Sequence, residues 1–147
     1  MKLLRLYKWI AGSMTDFTNQ FKDNETLYQQ ARAWWGHLES NSIVFLFIAA
    51  FCGIVLAIWY YKPYNERSGR HYKPKHWFFF MLITFIVTLL STFFFEYIAA
   101  EPKLPGSLGI EMRIALGNAI YATLLYFVTS VIWCNWLPTN AYRLLKF

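Results

Sequence analysis

Only a few polar side chains of this 147-residue chain lie deep inside its long apolar runs, and these are the natural candidates for function. Glu96 is the only acidic residue well inside such a run. A carboxyl there is costly unless it is paired, protonated or wet, so by default it marks a functional site. It also lies about one helical turn from the end of its run. That position allows a plainer reading as an interfacial or interchain hydrogen bond, beside the sharper one of a proton or ion pathway. Asn118 and Asn135 occupy a later run, where amides most simply act as hydrogen-bonding glue between helices. For conduction they give only a sparse stripe, Asn118 with Thr129 eleven residues on.

The remaining chemistry is thin. His37, His71 and His76 fall outside the apolar runs, which leaves a membrane haem without an axial histidine at depth. Cys52 and Cys134 lie inside runs with no CxxC spacing and no neighbouring histidine, and read as small packing residues. There is no HExxH or HxxxH, no glycine-rich phosphate loop and no convergent Ser, His and Asp set. Composition and spacing therefore assign no catalytic residue, metal ligand or cofactor.

What positions these groups is three apolar runs, Ser42 to Tyr61, Trp77 to Ala100 and Ile114 to Leu137, each about the length of a membrane-crossing helix. In lipid, backbone polar groups find partners only within a helix or a closed barrel. Hydrophobic residues make up 57% and aromatic residues 21% of the chain, and charged residues only 15%, against roughly 25% in soluble domains. The predicted class is an all-α integral membrane protein, with three transmembrane helices preceded by short amphipathic interfacial helices. Its segments are an amphipathic amino-terminal stretch (1–41), helix one (42–61), a basic inner loop (62–76), helix two (77–100), an outer loop (101–113), helix three (114–137) and a basic tail (138–147).

Each span carries small or hydroxyl residues at four-residue spacing: Ala49, Gly53 and Ala57; Thr84, Thr88 and Thr92; Ala115, Ala119 and Thr123. Helices in lipid associate through close backbone approach and interhelical hydrogen bonds, so these rows are the predicted seams. Phenylalanines crowd the second span, and three helices leave much of their circumference uncovered. The expected partners are the lipid bilayer and either other membrane subunits or further copies of the chain. Trp59, Tyr60, Tyr61, Tyr64, Tyr72, Trp77, Trp133 and Trp136 form the amphipathic rings that belong at headgroup depth.

The net charge of +6 is uneven. Lys62, Arg67, Arg70, Lys73 and Lys75 crowd the first loop against only Glu66, which places that loop on the inner side. Glu101 and Glu111 balance Lys103 and Arg113 in the second loop, which then faces out, as does the amino terminus. Lys2, Arg5, Lys8, Lys22 and Arg32 oppose this assignment, since by count they cancel the bias. Attraction to anionic lipid headgroups explains the basic loop more simply than a nucleic-acid contact does, and no nucleic acid is expected.

Residues 1–41 lack the apolar core and cleavage site of a secretory signal. In Met1 to Gly12, Lys2, Arg5 and Lys8 fall on one helical face and Leu3, Leu6, Tyr7 and Ile10 on the other, the pattern of a helix in the headgroup layer. The stretch is also compatible with a retained mitochondrial targeting element. Thr26 with Gln29 predicts a capping box and a helix start. From there Leu27, Ala31, Trp34, Trp35 and Leu38 form one apolar stripe, whose partner is lipid, another protein or the chain's own bundle. Pro102, Pro105 and Gly106 break the second loop, with Ser107 as the expected N-cap of a helix from Leu108. Pro138 ends the third helix, and Thr139 is the expected cap of a short basic helix.

Two function classes fit. The first is a non-catalytic membrane subunit that anchors or assembles a larger complex, such as a secretion machine or a respiratory-type complex, in a bacterial inner or mitochondrial inner membrane. The alternative is a small homo-oligomeric channel or membrane-disrupting effector.

Overall fold

A computed structural model describes residues 3–66, 73–141 and 143–146, and among these every regular element is helical. Arg67, Arg70, His71 and Tyr72 lie outside the described residues. The short helices α1 (Lys8–Ala11) and α2 (Met14–Thr18) lead into three long ones, α3 (Glu25–Trp59), α4 (Pro74–Ala99) and α5 (Ser107–Trp136). All three are long and apolar enough to cross a membrane. The short connection between α4 and α5 makes them antiparallel neighbours, and α5 packs along both α3 and α4.

The first long helix differs most from the sequence reading. It starts at Asn24, whose extended backbone lets its side chain accept from the Leu27 N–H at 3.2 Å. The predicted Thr26–Gln29 capping box does not form; Gln29 lies a full turn inside and donates to Glu25 at 2.6 Å. An asparagine before an acidic first turn satisfies both the orphan amides and the helix dipole. Nor does the helix break before residue 42. The polar stretch Glu39 to Ser42 contains no Gly or Pro, and Ser40 and Ser42 turn their hydroxyls onto the carbonyls of His37 and Glu39 at 2.8 and 2.6 Å. One rod of 35 residues therefore replaces an amphipathic helix plus a separate span. It ends in a single π turn, Tyr60–Tyr64, around Pro63. The wider turn accommodates a residue that has no N–H and whose ring would strike the preceding turn. The Asn65 amide then donates to the Tyr60 carbonyl.

The other boundaries follow simple local chemistry. Pro74 opens α4 at a position where its missing N–H has no consequence. Gly106 precedes α5 at φ +83°, and Ser107 is the first helical residue with no side-chain cap formed. The helix thus begins within a residue of the expected Leu108, and Glu111, counted with the outer loop 101–113, lies inside it. Leu137, extended ahead of Pro138, closes α5. No helix follows among the described residues. Thr139 accepts from the Ala141 N–H at 3.0 Å and donates to the Tyr61 carbonyl at 3.4 Å, pinning a turn.

The amino-terminal segment does not lie apart as an interfacial layer. Gly12, at φ +85°, turns the chain after α1, and Ser13 caps α2 through the Asp16 N–H at 3.2 Å. Tyr7, Ala11, Phe17 and Phe21 are thereby buried against Ala31, Trp34, Trp35 and Leu38 of α3. Leu104, Ile110 and Ile114 close the same core. The apolar stripe of α3 thus finds its partner within its own chain. At the opposite end a second core gathers Ala57, Tyr60, Tyr61, Trp77, Phe80, Tyr126 and Cys134.

Candidate functional site

Polarity in this bundle is inverted relative to a water-soluble protein. Ile43, Phe47 and Phe51 of α3, Phe78, Phe79, Leu82 and Phe94 of α4, and Leu124, Phe127 and Val128 of α5 all point outward and are exposed. Ser42, Thr84, Thr88, Thr92, Glu96, Glu111, Asn118 and Ser130 are buried. On α4 the buried positions Phe80, Thr84, Thr88, Thr92 and Glu96 recur every four residues, which is one ridge of an α-helical surface.

Each predicted seam residue has a definite place. Ala49, Gly53 and Ala57 are buried on α3, as are Ala115 and Ala119 on α5. A Cβ added at Gly53 would stand 2.6 Å from the Ala122 carbonyl oxygen and 2.9 Å from the Leu125 Cβ, so the backbones of α3 and α5 come into close approach there. Thr84 and Thr88 are fully buried, but their hydroxyls donate to the carbonyls one turn back in α4, at 2.9 and 2.8 Å. Their contribution at the seam is small size, with no hydrogen bond to another helix given by those hydroxyls. Thr123 is only half-buried and bonds back to Ala119 at 2.8 Å. The inward line of α5 runs instead through Glu111, Asn118, Ala122, Tyr126 and Ser130.

Asn118 is the hub. Its Nδ2 donates to the Phe45 carbonyl of α3 at 2.8 Å and to Thr92 Oγ1 of α4 at 2.7 Å. Its Oδ1 accepts from the Tyr7 hydroxyl at 2.7 Å. One amide therefore joins all three long helices and the amino-terminal segment. Burial pushes the Tyr7 phenol well above its ordinary value, with the neighbouring Tyr121 and Glu96 adding to the effect, so the hydroxyl stays a donor. Around it Trp9 donates to the Tyr121 hydroxyl at 3.0 Å, and that hydroxyl donates to the Leu6 carbonyl at 2.5 Å. Asn135 bonds its own helix at Val131 and the carboxyl-terminal tail at Leu145, both at 2.9 Å.

One turn beyond Thr92 on the same ridge lies Glu96, 1% exposed. Neither of its carboxyl oxygens has a hydrogen-bond partner among the described residues. Glu111, 0% exposed, accepts from Lys103 Nζ at 3.3 Å through one oxygen. Its other oxygen is unpartnered. Among the described residues no group of three His, Cys, Asp or Glu is placed to hold a metal ion.

No family model, curated protein or solved structure matches this chain. Its function is argued from geometry alone. Sequence reasoning missed two members of the polar site. Glu111 was assigned to a loop, although it stands seven residues before Asn118 and so on the same face of any helix that begins at Ser107. Tyr7 was assigned to lipid, and nothing in its local spacing marks a contact 111 residues away.

The far end of the bundle is a different surface. Trp77 Nε1 donates to Ser130 at 3.1 Å, and the hydroxyl of Tyr61 lies 3.3 Å from Cys134 Sγ. Lys62 lines a shallow groove with Tyr61, Glu66, Trp133 and Pro138, and Lys73 and Lys75 are exposed at the start of α4.

The Tyr7 contact makes a direct prediction. Tyr7→Phe removes only the hydroxyl, and an interhelical hydrogen bond in such a setting is worth about 0.6 to 1.7 kcal/mol. The variant is expected to keep its helices and to be cut faster by trypsin after Arg5 and Lys8. Unchanged cleavage kinetics would show that the bond does not hold the segment.

Proposed function

We propose that the chain is a non-catalytic integral membrane subunit that anchors or assembles a larger membrane complex, in a bacterial inner or a mitochondrial inner membrane. The observation that carries this reading is the inverted polarity, an apolar and aromatic belt on all three long helices around a polar seam. Burying that belt in lipid or against other subunits is favourable, whereas exposing it to water is not. The basic residues of the first loop, with Lys62, Lys73 and Lys75 exposed, would lie on the inner side against anionic headgroups. The amino terminus would then face out. Other membrane subunits, or further copies of the chain, would cover part of the belt.

The channel alternative is supported less well. A pore shared by several copies is lined by outward faces, and here those faces are apolar while the hydrogen-bonding groups turn into each copy's own seam. The test is extraction from native membranes in mild detergent followed by native mass spectrometry. Co-extraction with fixed amounts of other membrane proteins is the expected result. A closed ring of identical copies would transfer the weight to the channel, and recovery only in the aqueous fraction would remove both readings.

A further inference from the structure

The buried carboxyls at the α4–α5 end of the seam raise a question that anchoring does not answer. An ionised carboxylate removed from water is tolerated only when a counter-charge or several donors compensate it. Glu111 has such compensation, from Lys103 at 3.3 Å. Glu96 has no hydrogen-bond partner for either oxygen among the described residues, although it is as thoroughly buried. The two acids belong to one cluster by register. Thr92 and Asn118 are hydrogen-bonded across α4 and α5. From that level Glu96 is one turn onward in α4 and Glu111 two turns back in antiparallel α5, so their axial offset is only about 4.5 Å.

The groups facing Glu96 can be named element by element. Within α4 it follows Thr92. From α5 it faces Glu111 and from the α4–α5 loop Lys103, and both act on it electrostatically. The amino-terminal segment contributes the Tyr7 phenol, which senses Glu96 in turn. Among the described residues the charged groups that act on it are Glu111 and Lys103, neither of them on α3. The cluster as written holds two acids and one base. With both carboxyls ionised it would keep one uncompensated negative charge in an apolar interior. One proton on Glu96 makes it neutral.

We propose that Glu96 and Glu111 form a proton-binding site in which Glu96 holds the proton and Glu111 pairs with Lys103. Lys103 is also the route of exchange. Its side chain is 39% exposed and stands over the Tyr97 ring at 4.4 Å, so it joins water to the Glu111 carboxylate at the rim of the seam. A proton arriving from that side passes to Glu111 and then to the unpartnered oxygens of Glu96, and it leaves by the reverse path. No other reactant is needed, because the site gains and loses only H⁺.

The test uses dicyclohexylcarbodiimide, an apolar reagent that adds to protonated carboxyls, on the full chain in detergent, with adducts mapped by peptide mass spectrometry. Near neutral pH the expected adduct is at Glu96, exceeding that at the exposed Glu101 by roughly tenfold or more, and it declines as the pH rises. Glu111 is expected to stay unlabelled. Glu96→Gln, close in size and neutral, should remove the adduct while preserving the helical circular dichroism. Lys103→Met should bring Glu111 into the labelled set. Absence of an adduct at Glu96 from acidic to neutral pH would overturn the proposal, as would labelling no greater than that of Glu101. Protection of Glu96 by sodium or calcium ions would also overturn it, because the pair would then be a metal-cation site.

Discussion

Gly53→Val is expected to drive α3 and α5 apart and to abolish the native tertiary packing, although most helix persists. A single methyl at this position already meets the Ala122 carbonyl oxygen at 2.6 Å and the Leu125 Cβ at 2.9 Å. Neither is the far end of a flexible side chain, so relief requires movement of a whole helix. Overpacking of a close-packed site costs about 1–3 kcal/mol for small additions, and valine adds two further methyls to a Cβ that has no room. Gly53→Ala should fall within that range and Gly53→Val beyond it. Titration with a denaturing detergent, followed by tryptophan fluorescence, separates the two. Trp34 and Trp77 are buried and report on both ends of the bundle. Equal midpoints for wild type, alanine and valine would mean that this contact does not set the helix spacing.

Asn118→Leu is the second large effect. Leucine has the same branched shape and the same number of side-chain heavy atoms, so the change opens no cavity and the loss is mainly of hydrogen bonding. Three bonds disappear, to Tyr7, Thr92 and the Phe45 carbonyl. The Phe45 carbonyl keeps its partner within α3. The Tyr7 hydroxyl is left in an apolar interior without its acceptor. At about 0.6 to 1.7 kcal/mol for each of the three interhelical bonds, plus about 1–3 kcal/mol for a stranded buried donor, the total is about 3–8 kcal/mol. The expected readout is a large drop in the unfolding midpoint and rapid tryptic loss of the amino-terminal segment. A double-mutant cycle with Tyr7→Phe should show strong non-additivity, because the tyrosine has nothing to lose once its acceptor has gone. Additive effects would separate the hub from the clasp.

The three apolar runs were legible because length and composition alone determine that a helix can cross a membrane, and three such helices are present. The residues that punctuate them were less so. Asn24 and Thr26 both carry capping side chains, and the choice between them depends on whether Glu25 belongs inside the first turn. The boundary at residue 42 was set where the apolar run begins, yet the helix runs through it, with Ser40 and Ser42 satisfied on their own backbone. Glu111 was hidden by its charge: a helix was expected from Leu108, yet the acid was counted with the outer loop 101–113, outside the apolar core of the span. The clasp of Tyr7 was out of reach for another reason, since contacts over such a separation are set by how the amino-terminal segment folds back at Gly12 and not by any periodicity.

The uninterrupted length of α3 has a mechanical consequence. At about 1.5 Å per residue, 35 residues make a rod of about 52 Å, against a hydrocarbon layer of about 30 Å. If its apolar half is held in lipid, roughly 20 Å stands clear of the layer, carrying Trp34 and Trp35 with the amino-terminal helices wrapped around it. A rod without a hinge transmits torque. Any load applied to that outer third would tilt the buried two thirds by the same angle, and α5, in contact with it at Gly53, would be forced to follow.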